Sequence, residues 1–141
     1  MSWDGYITNL MGKDGIGDAV IAGHELNVES VWASQPNGTL SGITAAEIKV
    51  LVGTDRSKLF GNGVTVAGIK CTVLRDTLNT ESVWTMDMRT KATDSDPTTY
   101  SISVAKSGKA LVIAKGKKDI HGGVVNKAVF EMCDYLRKSG Y

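Results

Sequence analysis

Tyr100-Ser101-Ile102-Ser103-Val104, then Ser107-Gly108, then Lys109-Ala110-Leu111-Val112-Ile113-Ala114-Lys115, is the stretch that decides the fold class. Its first part alternates polar and apolar residues with period two, which predicts a strand with one face turned to water. Ser107-Gly108 supplies a turn, and the apolar run after it predicts the antiparallel partner of a hairpin. Beyond a loop at Gly116-Lys117-Lys118-Asp119, residues 124–138 carry the strongest helical pattern in the chain. Val125, Ala128, Val129, Met132 and Leu136 repeat at the spacing of one buried helical face, and Arg137 and Lys138 suit the C-terminal end of the helix dipole.

Outward from this hairpin and helix, further strand signals crowd together. Val64 to Ala67, Ile69 to Arg75 and Val83 to Arg89 are rich in β-branched and apolar residues, as are Asp18 to Ala22 and Val28 to Ala33. Gln35-Pro36-Asn37-Gly38 is a turn. Thr44-Ala45-Ala46-Glu47 is a capping box, opening a helix that runs to Val52 and stops at Gly53. A first short helix spans Ser2 to Met11, with Ser2 as cap, Asp4 in its first turn and Gly12 after its end. Trp3, Tyr6, Ile7 and Leu10 share one face of it. The order predicts an α+β fold: a central antiparallel sheet flanked by helices, with the N- and C-terminal helices packed together on one face.

The composition permits this architecture and excludes several others. The 141 residues are 42% hydrophobic and 22% charged, enough for a real core in one domain over residues 1–141. The longest aliphatic run, around Leu111-Val112-Ile113-Ala114, is far below the ~20 residues of a membrane span. The start, Met1-Ser2-Trp3-Asp4, has neither the basic nor the apolar region of a signal peptide. Cys71 and Cys133 fit no zinc spacing and suggest reduced thiols of a cytoplasmic protein. Net charge is +1, which argues against a nucleic-acid binder. Residues 1–63 hold four Lys/Arg and seven Asp/Glu, and residues 64–141 hold twelve and eight, so the second half is mildly basic.

A catalytic set does not assemble. His24 and His121 are the only histidines, and neither has a Cys or carboxylate at metal-ligand spacing. Gly61-Asn62-Gly63 lacks the rest of a phosphate loop and reads as a turn between two strands. No enzyme activity, metal or cofactor is expected.

The aromatic residues are more informative. Trp3 and Tyr6 lie three apart on the first helix, Trp32 in an early strand, and Tyr135 and Tyr141 at the end of the last helix. Five of the nine aromatic residues therefore sit where three neighbouring elements are expected to meet. A shallow aromatic groove suits proline-rich peptides, whose extended helix stacks on flat rings and whose free carbonyls accept from Tyr O–H and Trp N–H.

Ordered segments along the whole chain resemble the profilin family, in its animal branch. They are Ser2-Trp3-Asp4-Gly5-Tyr6-Ile7-Thr8-Asn9-Leu10-Met11, Val31-Trp32-Ala33, Leu51-Val52-Gly53-Thr54-Asp55-Arg56-Ser57 and Gly68-Ile69-Lys70-Cys71, then Met86-Asp87-Met88-Arg89-Thr90-Lys91, Ile120-His121-Gly122-Gly123 and Asn126-Lys127. The resemblance implies the profilin-like fold and a protein that binds monomeric actin, promotes its nucleotide exchange, and binds proline-rich proteins such as formin-like polymerisation factors. It also implies binding to phosphoinositide lipids, and work in the cytoplasm at the cytoskeleton and cell cortex. By the same resemblance the proline-rich site is Trp3, Tyr6, Trp32, Tyr135 and Tyr141, where animal relatives often have histidine in place of Tyr135. The actin surface is Phe60, Lys70, Val73, Arg75, Arg89, Lys91, His121, Gly123, Asn126, Lys127, Phe130 and Glu131. The phosphoinositide residues are Arg89, Arg137 and Lys138. Helix geometry is compatible with two working flanks: Phe130 and Tyr135, five residues apart, stand ~140° apart around the axis. The competing reading is a small-ligand sensor of PAS- or GAF-like architecture, which needs an interior pocket.

Overall fold

The computed structural model describes residues 3–141. The elements run α1 (Asp4–Met11), β1 (Ile16–Gly23), β2 (Ser30–Ser34), α2 (Ala45–Val52), α3 (Leu59–Asn62), β3 (Val64–Val66), β4 (Ile69–Thr77), β5 (Thr85–Thr90), β6 (Ser101–Lys106), β7 (Ala110–Gly116) and α4 (Gly122–Lys138). All seven strands form one sheet in the order β2-β1-β7-β6-β5-β4-β3. Every pairing is antiparallel. The predicted hairpin is β6–β7, paired through Lys106 and Leu111 and closed by the Ser107 amide donating to the Ala110 carbonyl at 2.8 Å. The predicted cap at Ser2 lies outside the described residues.

Alternation along the central strands splits the core into two layers. Leu111 and Ile113 of β7, with Val20 and Ala22 of β1, face α2 and the 3-10 turn at Thr39–Gly42. Ala110, Val112 and Ala114, with Ala19 and Ile21, face α1 and α4. α4 buries Val125, Ala128, Val129, Met132, Cys133 and Leu136, and α1 buries Ile7 and Leu10. The terminal helices thus share one face of the sheet.

The polar side of β6 is not wet. Ser101 and Ser103 are 4% and 1% exposed, because α4 covers them. Small hydroxyl side chains let a helix approach closely, and both are hydrogen-bonded: Ser103 donates to Asp87 at 2.8 Å, and Ser101 accepts from Arg89 at 3.0 Å. Gly61-Asn62-Gly63 is not a link between strands either. It ends α3, with Gly63 turning at φ 70° into β3.

Two long-range carboxylates fasten the α2 side. The capping box at Thr44 and Glu47 forms as the sequence predicts. The same Glu47 carboxylate also accepts from the amides of Ala67 and Gly68, each at 2.9 Å, in the β3–β4 turn. Burial raises the Glu47 pKa, but these amides outweigh it and hold the carboxyl below its ordinary value. Arg56 grips Asp76 on β4 with bonds of 2.8 and 2.6 Å and donates to the carbonyls of Leu51 and Gly53.

Candidate functional site

The five aromatic residues assemble into one array. Trp3 is its hub, with ring centroids 5.1 Å from Tyr6, 4.8 Å from Trp32 and 5.0 Å from Tyr141. Tyr135 extends the array from Tyr6 at 5.9 Å. Three features of the backbone bring these rings together. Trp3 precedes α1 with its ring on the side of Ile7 and Leu10. Trp32 projects from the edge strand β2 beside Gly23, where an added Cβ would lie 2.6 Å from the indole nitrogen, so only glycine leaves room for the ring. Tyr141 follows the C-terminal cap of α4, where Gly140 adopts φ 94° and turns the chain back.

Tyr135 and Tyr141 are exposed, at 51% and 42%, while Trp3, Tyr6 and Trp32 are partly buried against the core. Such an array offers flat faces for stacking and polar tips for hydrogen bonds. The Tyr6 phenol is held above its ordinary pKa, first by desolvation and then by Tyr135 and Tyr141 beside it. The array opens into a pocket of about 470 Å³ between α1 and α4, lined also by Gly5, Asn9, Lys13, Glu131 and Met132. Lys13 and Glu131 close one end of it as an ion pair at 3.6 Å. Asn9 and Lys13 were missed from the sequence. Asn9 lies three residues after Tyr6, a spacing that would have placed it on the same flank of α1.

A second cleft, of about 780 Å³, lies where β4, β5 and β6 meet the start of α4. Arg75, Arg89, His121, Gly123 and Asn126 all line it. Its centre is Asp87, which accepts from Asn126 and Ser103, each at 2.8 Å, and pairs with Arg75 at 3.2 Å. Sequence reading passed over Asp87. His121 is the N-cap of α4, its Nδ1 accepting from the Gly123 amide at 2.9 Å, so the helix starts two residues before the predicted Val124. Arg89 is tied to Thr99 and Ser101 by three hydrogen bonds.

The remaining predicted surface residues spread outward from this cleft. Lys127, Phe130 and Glu131 are exposed on α4. Lys70 and Lys91 lie at neighbouring strand ends, the Lys91 amide donating to the Lys70 carbonyl at 2.9 Å. Phe60 stands 55% exposed on α3. Val73 is the exception. It is 4% exposed and belongs to the core under α2, so its side chain offers nothing to a partner. Val73 alternates with buried Cys71, and a bulge after it parts it from Arg75: Val73 pairs with Met88 and Arg75 with Asp87, leaving Leu74 as the extra residue. The bulge sends Val73 and Arg75 to opposite faces and leaves Leu74 58% exposed.

The three predicted phosphoinositide residues do not form one cluster. Arg89 lines the cleft at the start of α4, whereas Arg137 and Lys138 lie at its end, about 22 Å further along the axis. Arg137 stacks over Trp84 at 3.8 Å and donates to the Lys106 carbonyl. Lys138 pairs with Asp134 at 2.9 Å. Among the described residues no group of three His, Cys, Asp or Glu side chains is placed to hold a metal ion. No helix among them is long and apolar enough to cross a membrane.

An antiparallel sheet carrying an aromatic groove between its terminal helices, with a charged cleft on the other flank of α4, defines a surface-binding module. The family model for profilin matches residues 1–141, and the chain belongs to the profilin family. It is similar to bovine profilin-1, with 46% identity over 99% of this chain and 98% of that protein. Among solved structures it is similar to mouse profilin IIa, determined in complex with a double repeat from the FH1 domain of mDia1. That likeness has a TM-score of 0.94 and 39% identity over the whole of both chains. Rat profilin 2a aligns with a TM-score of 0.93 and 42% identity, over 99% of this chain and 96% of that one. These matches overturn the sensor alternative.

Proposed function

We propose that this profilin-family chain regulates actin assembly by binding alone, catalysing no reaction of its own. It grips proline-rich segments of polymerisation factors in the groove of Trp3, Tyr6, Trp32, Tyr135 and Tyr141. It binds an actin monomer on the flank of α4 that carries Asn126, Lys127 and Phe130, with Arg75, Arg89, Lys91, Lys70, Phe60, His121, Gly123 and Glu131 around it. The observation that carries the reading is the five-ring array, whose Trp3, Tyr6 and Trp32 rest partly buried on the core while Tyr135 and Tyr141 stand exposed beside them. An extended proline helix stacks on such rings at low entropic cost, since it is already stiff when free.

The two surfaces lie on different flanks of α4 and meet only at Glu131, so both partners fit at once, and the chain delivers actin to proteins that hold proline-rich tracts. A partner that favours the open actin cleft weakens nucleotide binding by the same coupling energy, which accounts for faster exchange. Anionic phosphoinositide headgroups are met at two separate points, Arg89 and the Arg137–Lys138 end of α4. The place of work is the cytoplasm, at the actin cytoskeleton and cell cortex. The deciding experiment is titration of intrinsic tryptophan fluorescence with an oligoproline peptide, read directly by Trp3 and Trp32. A saturable change supports the groove, and no change at millimolar peptide refutes it.

A further inference from the structure

Tyr141 is held from two sides by its main chain. Its amide donates to the Leu136 carbonyl at 2.9 Å, completing the cap of α4 around Gly140. Its main-chain oxygen is taken by a different element, the β6–β7 turn. Ser107 Oγ donates to it at 2.9 Å and the Lys109 amide donates to it as well. Gly108 sits between these donors, and an added Cβ there would come within 3.1 Å of the same oxygen. The turn is itself fixed: His24 Nε2 donates to the Ser107 carbonyl at 2.8 Å, and Ser107 Oγ accepts from the Ala110 amide at 3.1 Å. Ser107 is 3% exposed.

The Tyr141 ring, by contrast, is 42% exposed and meets Trp3 only edge-on. With the ring only partly buried, the clamp on its main chain adds the constraint that places it. Resting on the groove assigned above, we infer that Ser107 and Gly108 are positioning residues of the proline-rich site. They seat Tyr141 against Trp3 so that the peptide meets a preformed edge of the groove and does not have to order it. Neither residue is aromatic, and neither stands out in the sequence except as a turn.

The test is a double-mutant cycle on oligoproline affinity, read by tryptophan fluorescence with thermal midpoints measured in parallel. Ser107→Ala removes one donor to the Tyr141 oxygen. Gly108→Ala crowds that oxygen while leaving every hydrogen bond of the turn in place, so it keeps the test open where Ser107→Ala weakens the hairpin. Each is expected to lower affinity about fivefold, the equivalent of one net hydrogen bond. In a Tyr141→Ala background each is expected to change affinity less than about twofold, because the group they position is gone. Unchanged affinity in both single variants, or the same loss with and without the Tyr141 ring, overturns the inference and leaves the groove assignment standing. Failure of the wild-type chain to bind oligoproline overturns both.

Discussion

The rings of Trp3 and Tyr141, from opposite ends of the chain, meet edge to face with centroids 5.0 Å apart. The sheet makes this possible by stacking α1 and α4 on one face, and Trp3 then contacts three of the four other groove rings. Removing the hub ring removes stacking surface and the edge against which Tyr141 rests. Trp3→Ala should therefore cost about 2 kcal/mol of binding to oligoproline, roughly thirtyfold in affinity. Actin binding should be unchanged, since Trp3 lies away from the Asn126 flank. Equal loss of both activities would assign Trp3 to the fold instead of the groove.

Arg56 and Asp76 carry a second consequence, for stability. The Asp76 side chain is 5% exposed and that of Arg56 21%. Burial pushes the Asp76 pKa up, but the Arg56 hydrogen bonds and the Leu78 amide outweigh it and hold the carboxyl below its ordinary value. Arg56→Ala leaves the buried Asp76 carboxylate without its counter-charge, held only by the Leu78 amide, and takes a donor from the Leu51 and Gly53 carbonyls, and should destabilise the fold by about 3 kcal/mol at pH 7. The folded pKa is depressed, so this stabilisation is present above the ordinary aspartate pKa of about 3.9 and lost as pH falls below it. Urea melts of wild type and variant at pH 7 and pH 3 should show the gap narrowing in acid. A gap that is constant with pH would mean that Arg56 acts through packing alone.

Both thiols make an alkaline prediction. Burial pushes Cys133 up to about 12, and Cys71, where Glu47 adds to burial, up to about 11. The native chain then holds protons that an unfolded thiol, with a pKa of about 8.5, gives up. Stability is full below pH 8.5 and is lost as pH rises toward the folded values. Iodoacetamide should label neither cysteine of the native chain at pH 8 and both in urea. Fast native labelling of either would contradict the burial on which this rests.

The signals that were legible in the sequence are local ones. The Thr44–Glu47 capping box, the Ser107-Gly108 hairpin and the apolar stripe of α4 depend on residues within a few positions of one another. Ser101 and Ser103 misled because period two reports only that a face is polar or small, and here a helix lies on it. The β4 bulge was hidden for a related reason. Strict alternation puts Val73 and Arg75 on one face, and only the pairing with Met88 and Asp87 shows Leu74 to be extra. The further partners of Glu47 and the grip of Arg56 on Asp76 each span about twenty residues, a separation at which spacing carries no signal. The groove was legible as five aromatic residues whose family pattern joins them; the clamp on Tyr141 was not, since main-chain donors have no letter in a sequence.

The last prediction concerns the proposed actin surface and the choice of charge to reverse. Arg89 is a poor choice, because its bonds to Thr99 and Ser101 hold β5 to the strand that follows. Lys127 is better: its side chain is 76% exposed, with one contact to Glu131 at 3.9 Å. It stands beside Asn126 on the same flank of α4 as Phe130, and a basic group so placed steers an acidic partner surface before contact forms. Lys127→Glu should slow association with actin and flatten its dependence on ionic strength. It should also reduce the acceleration of nucleotide release, because that effect is coupled to binding. The new like-charge pair with Glu131 costs the helix only a few tenths of a kcal/mol, and Lys127→Gln controls for it. Oligoproline affinity should hold, since Tyr135 lies about 12 Å further along the helix. Stopped-flow release of a fluorescent nucleotide from actin at two salt concentrations measures the actin effects, and tryptophan fluorescence measures the oligoproline affinity. Identical rates for wild type and Lys127→Glu in both salts would move the actin surface off this flank of α4.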